Sequence, residues 1–237
     1  MTPPRRRVWS EAAAIPEGAG WTVTLDGRPI RTPAGAAFRA PGRAVAEEAA
    51  AEWAAQGAEI EPFSMPVTRA LNTAIDRIAP QEGAVRAELS AYAETDLLCH
   101  RAPHPRGLAE RQAALWDPPL AWARTRLGAT LLCAEGVMRV AQPEESLARL
   151  AAAVAARDAF ALAALSDLVA LSGSLVLGLM VEEGATDWET AWTASRVEED
   201  WQIAQWGEDA EAASVAATKR DAFAAAARLA ALLRTPD

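Results

Sequence analysis

At 237 residues, 51% hydrophobic and 23% charged, the chain has the length to bury a sizeable core and the balance of a globular protein. A net charge of −9 excludes the positive field that non-specific nucleic-acid binding requires. Two cysteines, Cys99 and Cys133, are no disulfide framework and point to a reducing compartment.

The start, MTPPRRRVWS, is basic but lacks the apolar stretch of a secretion signal and is too short for a mitochondrial transit peptide. Trp21, Val23 and Leu25 alternate with threonines, which predicts a strand. Asp26-Gly27 then predicts a tight hairpin turn, because such a turn needs positive φ at both central residues. Arg28 to Thr32 is the expected return strand, with Val8-Trp9 and Phe38-Arg39 as candidate edges.

From Arg43 the pattern becomes helical. RAVAEEAAAEWAAQ predicts a helix ending near Gly57, and Pro62 and Pro66 bracket an extended break. Helices follow in VTRALNTAIDRIA and EGAVRAELSAYAETD. LAERQAALWDPPLAWARTRLG predicts two helices, the second opened by Asp117 as N-cap with Pro118 at its first position. ATLLCAEGVMRV suggests a short strand pair. Beyond Pro143 the expected helices are Pro143 to Arg157, Ala159 to Val169, Ser172 to Glu182, Thr186 to Trp206 and Asp209 to Leu233. The apolar run from Leu168 to Val181 is too short to span a membrane and reads as a buried helix. The expected class is therefore α+β: a small N-terminal β-rich domain over residues 1–60, then a larger, mostly helical domain over 61–237.

Catalytic motifs are missing: no glycine-rich phosphate loop, no HExxH, no CxxC and no GxSxG. His100 and His104 stand four apart, but Pro103 between them argues against a helix, and no remote ligand is marked, so no metal is expected. The stretch SRVEEDWQIAQWG places three acids among tryptophans. On a continuous helix from Thr186, turning about 100° per residue, Trp188, Trp192, Ser195, Glu199, Gln202 and Trp206 share one lane. Glu199 is the acid inside that lane. An isolated carboxylate buried among indoles is costly, so Glu199 should be paired or partly wet. Two roles stay open for it: a buried, hydrogen-bonded structural acid, or a charged anchor in an aromatic binding face. A catalytic acid, in a carboxylate-dependent hydrolase or lyase without a recognisable motif, is the alternative. Elsewhere, Trp53 is expected to fill a groove between helices. Asn72 and Asp76 share a helix face suited to holding a turn, and Asp96 is expected to cap a turn.

LDGRPIRTP, EWAAQ, MPVTRALNTAID, YAETDLLCHR, QAALWDPPLAW and VEEDWQIAQWG occur in this order. Together they resemble the assembly chaperones for the α subunit of F1-ATPase, a family of mitochondria and alphaproteobacteria. The resemblance runs from Trp21 to Gly207. It implies a non-enzymatic protein without cofactor that covers the hydrophobic surface of the unassembled α subunit. It implies no membrane insertion, a monomeric free state, and a bacterial cytoplasm or, in a eukaryote, the mitochondrial matrix. It carries Glu199, Trp192, Gln202 and Trp206 as candidate client contacts, with Trp53 supporting the fold. The chain departs from the family pattern at Cys99-His100, where an aromatic before the arginine is commoner, and at Pro119, where an apolar residue is commoner.

Overall fold

A computed structural model describes residues 6–136 and 140–235. The basic residues 1–5 and the 137–139 part of the expected strand pair lie outside them.

The N-terminal part is a three-stranded antiparallel sheet in the order β1 (Ala12–Glu17), β2 (Gly20–Leu25), β3 (Arg28–Pro29). Asp26 and Gly27 both take positive φ, 47° and 77°, and join β2 to β3. The Asp26 carboxylate accepts from the Glu11 and Ser10 amides and the Ser10 hydroxyl, so the turn also fixes the chain entering β1. The return strand is shorter than expected, and the Phe38 segment contributes isolated bridges rather than a strand. β1 escapes the sequence pattern because AAAIPE carries no alternation. Its Pro16 is tolerated on an edge strand, where no ladder donor is lost. The threonines of β2 are buried as well as Val23, with their hydroxyls donating to the Phe38 and Ala13 carbonyls.

α1 (Arg43–Ala54) lies on β1 and β2 and continues the packing into the helices. α2 (Pro66–Thr73) starts on a proline, where a missing N–H costs nothing, and runs into a wide turn over Ala74–Ile78. α3 (Glu82–Ala91) is followed by tight turns and by β4 (His100–Arg101), which pairs in parallel with β5 (Ala134–Glu135). The described part of the expected strand pair thus contributes one short strand, which pairs with the remote His100–Arg101.

Between them runs α4 (Arg106–Trp122), one helix where two were expected. Pro118 and Pro119 sit inside it. Their fixed φ is helical, but each removes an N–H donor and crowds the carbonyl four residues back. Buried Trp116 donates its indole N–H to the Ala194 carbonyl at 2.7 Å and anchors the helix beside the prolines. Asp117 is therefore not an N-cap; its carboxylate pairs with Arg101 at 2.8 Å.

The remaining helices are α5 (Glu144–Ala155), α6 (Ala159–Ser172), α7 (Leu175–Glu183), α8 (Trp188–Ser195), α9 (Val197–Trp206) and α10 (Ala210–Leu233). α6 and α7 are apolar nearly all round and form the centre, with Leu162, Leu165, Leu168, Leu175, Leu177 and Leu179 buried. They approach closely because Gly178 leaves room: a Cβ there would stand 2.6 Å from Val169. α10 closes the centre with Phe223, Ala226, Leu229 and Ala230. The apolar core runs without interruption from Val23 in the sheet and Phe38 beside it to Leu229 in α10.

Candidate protein-interaction site

The segment expected as one helix from Thr186 is two. Ser195 turns its hydroxyl back to the Trp192 carbonyl at 2.7 Å, and Arg196 leaves helical geometry at φ −110°, ψ 12°. A serine bonding back to its own helix competes with the backbone ladder and bends it. The single tryptophan lane is broken as a result. Trp192 on α8 is 9% exposed and packs on Phe223 of α10, ring centres 5.6 Å apart. Trp206, at the end of α9, is 80% exposed. The two indoles face opposite environments.

Glu199 is on the outside of α9, its side chain 54% exposed and 3.7 Å from the Arg196 guanidinium. It is paired and wet, and it is not buried among indoles. Asp200 shares the same arginine at 3.7 Å, and Arg196 also lies over the Trp192 ring at 5.8 Å. Glu198 has a different use: its carboxylate accepts from the Gln112 amide at 2.8 Å and ties α9 to α4. Gln112 also accepts from the Ala102 amide, so one buried side chain holds both elements. Trp201 lies on Gly107 of α4, where a Cβ would come within 2.8 Å of its ring.

α9 thus projects from α4 and leaves a trough of about 630 Å³ between itself and the first half of α10. Ile203 and Trp206 line one wall, and Ala212, Val215 and Ala216 the other. Arg196, Glu199 and Gln202 stand at one end and Lys219 across from them. Gly207, at φ 88°, allows the sharp reversal between the helices, and Asp209 caps α10 through the Ala212 amide at 2.8 Å. The structure brings together Glu199, Gln202 and Trp206 of the four expected contact residues and withdraws Trp192 into the core. Sequence reasoning missed Ile203, Val215 and Lys219. Val215, an isolated β-branched residue on a helix of alanines, is the one signal in the sequence that pointed to them.

The other expected residues lie elsewhere. Trp53 is half-buried against the core and meets Trp9 of the N-terminal segment edge to face, ring centres 5.2 Å apart. Its neighbours carry more of the motif's work. Both Glu52 oxygens accept from the first amides of α2, Val67 at 2.7 Å and Thr68 at 2.8 Å. Gln56 is buried, donating to Ser64 and accepting from the Glu61 amide. Asp76 accepts from the Thr32 hydroxyl at 2.6 Å and the Ala34 amide at 3.0 Å, which pins the loop after β3 to the wide turn after α2. The side-chain oxygen of Asn72, one turn away, is buried without a partner among the described residues. Asp96 is fully buried and accepts from Leu98 and Val176, capping both its own turn and α7. Burial pushes its carboxyl up, and the bonds from Ser174, Val176 and Leu98 oppose that rise.

Among the described residues no cluster of three or more histidines, cysteines or acids is placed to hold a metal, and no helix is long and apolar enough to cross a membrane. An open trough of apolar side chains with one exposed indole and a charged border is the kind of surface a protein-binding module presents.

The comparisons identify which kind. The chain matches the family described as ATP12 chaperone protein over residues 6–124, half its length. It is 24% identical over 217 residues to the protein atp12, mitochondrial, of Schizosaccharomyces pombe, covering 86% of this chain and 75% of that one. It is 44% identical to the crystal structure of Atp12 from Paracoccus denitrificans, covering 97% of this chain and 98% of that one, with a TM-score of 0.94. A solved protein of Agrobacterium tumefaciens is 40% identical over 97% of this chain and 86% of its own, with a TM-score of 0.93. The chain belongs to the ATP12 chaperone family. It is an assembly chaperone for F1-ATPase and not an enzyme. The family match ends just past α4, so the trough, carried by α9 and α10, is reached by the likeness to the solved structures rather than by the family match.

Proposed function

We propose that the client is the unassembled α subunit of F1-ATPase, and that the trough between α9 and α10 covers an apolar surface on it until assembly. The observation that supports this is Trp206, a large indole held in water in a trough that Ile203, Ala212, Val215 and Ala216 line with apolar surface and charged residues border. Such a ring stabilises a complex when a partner buries it, and Trp is enriched among residues that cost about 2 kcal/mol or more when truncated at interfaces. Glu199 and Gln202 beside it select a polar or basic rim on the client, and the net charge of −9 speeds the encounter with such a surface.

The free protein is monomeric in this reading, and it works in a bacterial cytoplasm or a mitochondrial matrix. The residue-60 boundary is organisational: the N-terminal sheet supports the helical part, which carries the client contact. The test is co-expression with the F1 α subunit. Soluble α subunit should rise with this protein, fall back with Trp206→Ala, and fall further with Trp206→Ala combined with Glu199→Lys. An α subunit that stays equally insoluble with and without the chaperone overturns the proposal. Light scattering on the free protein checks the monomer.

A further inference from the structure

The parallel pairing of β4 with β5 sets His100 opposite Ala134 and Arg101 opposite Glu135. One residue before each pair member stands a cysteine, Cys99 and Cys133. Neighbouring strands lie about 4.8 Å apart, within the Cα separation of about 4.4–6.8 Å that a disulfide bridges. Side chains at matched positions of a ladder leave the sheet on the same side. The two thiols are accordingly neighbours across the ladder, and the Cys133 sulfur lies 3.9 Å from the carbonyl oxygen of Leu98, the residue before Cys99. Both are free, Cys99 buried and Cys133 exposed.

We propose that Cys99 and Cys133 form a redox pair that closes to an intramolecular disulfide by exchange with a small-molecule disulfide of the glutathione class.

The exchange has a fixed order. The exposed Cys133, as thiolate, attacks one sulfur of the small disulfide and releases one small thiolate, leaving a mixed disulfide on Cys133. Cys99 then gives up its proton and attacks the Cys133 sulfur, and the second small thiolate leaves. Two protein thiols are oxidised to one disulfide, one small disulfide is reduced to two thiols, and those thiols take up the two protons. Cys99 is unsuited to the first attack because burial, then Asp96 and then Cys133 push its thiol up to about 12.

The bridge would close a loop around α4. Arg101, beside Cys99, pairs with Asp117 and lies 5.4 Å over the Trp116 ring, and Trp116 donates to Ala194 at the end of α8. The staple therefore acts at the root of the arm that carries the trough.

The test treats the purified full chain with excess oxidised glutathione and maps it by non-reducing peptide mass spectrometry and thiol titration. The expected product is a monomer lighter by two hydrogens, with no titratable thiol, a peptide linked through Cys99 and Cys133, and full reversal by dithiothreitol. Cys133→Ser, a change at an exposed position, should leave Cys99 unmodified under the same treatment. A stable glutathione adduct on Cys133 with Cys99 still free overturns the proposal. So does a dimer linked through Cys133, glutathione uptake at Cys99 in Cys133→Ser, or two thiols that survive the treatment.

Discussion

Glu52 shows how a single side chain can set the start of a helix that does not contain it. From α1 it reaches the first two amides of α2, which have no partner within their own helix. Glu52→Ala should cost about 1–3 kcal/mol, the range for leaving such donors unmet, read as a lower urea midpoint with unchanged slope. Asp187 works on α8 from the neighbouring position, accepting from the Thr190 amide at 2.6 Å and the Thr190 hydroxyl at 3.0 Å. These bonds, the amide first, hold its carboxyl below the ordinary value of 3.8. A depressed carboxyl contributes its stability in full above 3.8 and loses it as the pH falls through the lower folded value. Asp187→Asn keeps a cap that does not titrate. Its acid unfolding curve should be shallower than that of the parent below pH 3.8, with little difference at pH 7.

The helices themselves separate what sequence conveys from what it conceals. Alternation in β2, the Asp26-Gly27 turn and the helical stretch after Arg43 were legible, since each rests on a local preference. The break at Arg196 was not, because a Ser195 hydroxyl bonding back and an arginine shared by two acids leave no mark on a helical wheel. The wheel therefore joined Trp192 and Trp206, which the break separates. The prolines of α4 misled in the opposite direction: their local rule predicts a boundary, and the buried Trp116 and Gln112 anchors override it. The separation of the two tryptophans gives a paired prediction. Trp192→Ala should destabilise by about 3–5 kcal/mol, as large-to-small changes in a packed core do. Trp206→Ala should leave stability within about 0.5 kcal/mol, as surface changes do, while still lowering the yield of soluble client. Thermal or urea unfolding beside the co-expression assay resolves the two.

Across the whole molecule, three side chains join elements far apart in the chain, and one of them reaches the sheet. Asp76 holds the loop after β3, Glu52 holds α2, and Arg228 of α10 grips Glu48 of α1 with two bonds of 2.7 and 2.6 Å. These contacts join residues far apart in the chain, so spacing alone gives no sign of them; only Asp76 stood out, through its polar face. Asp76→Ala should unfasten the sheet and raise amide hydrogen exchange in β1 to β3 more than in α6 and α7. Equal acceleration everywhere would mean that the sheet and helices unfold as one unit. Gly107 acts in the other direction, on the arm that leaves the body. Its missing methyl lets Trp201 settle onto α4, so the height of α9 is fixed at its base, some distance from every residue that lines the trough. The width of the proposed client trough is thus a property that one carbon atom can adjust. Gly107→Ala would act as a spacer, changing what the chaperone grips without altering a single contact residue.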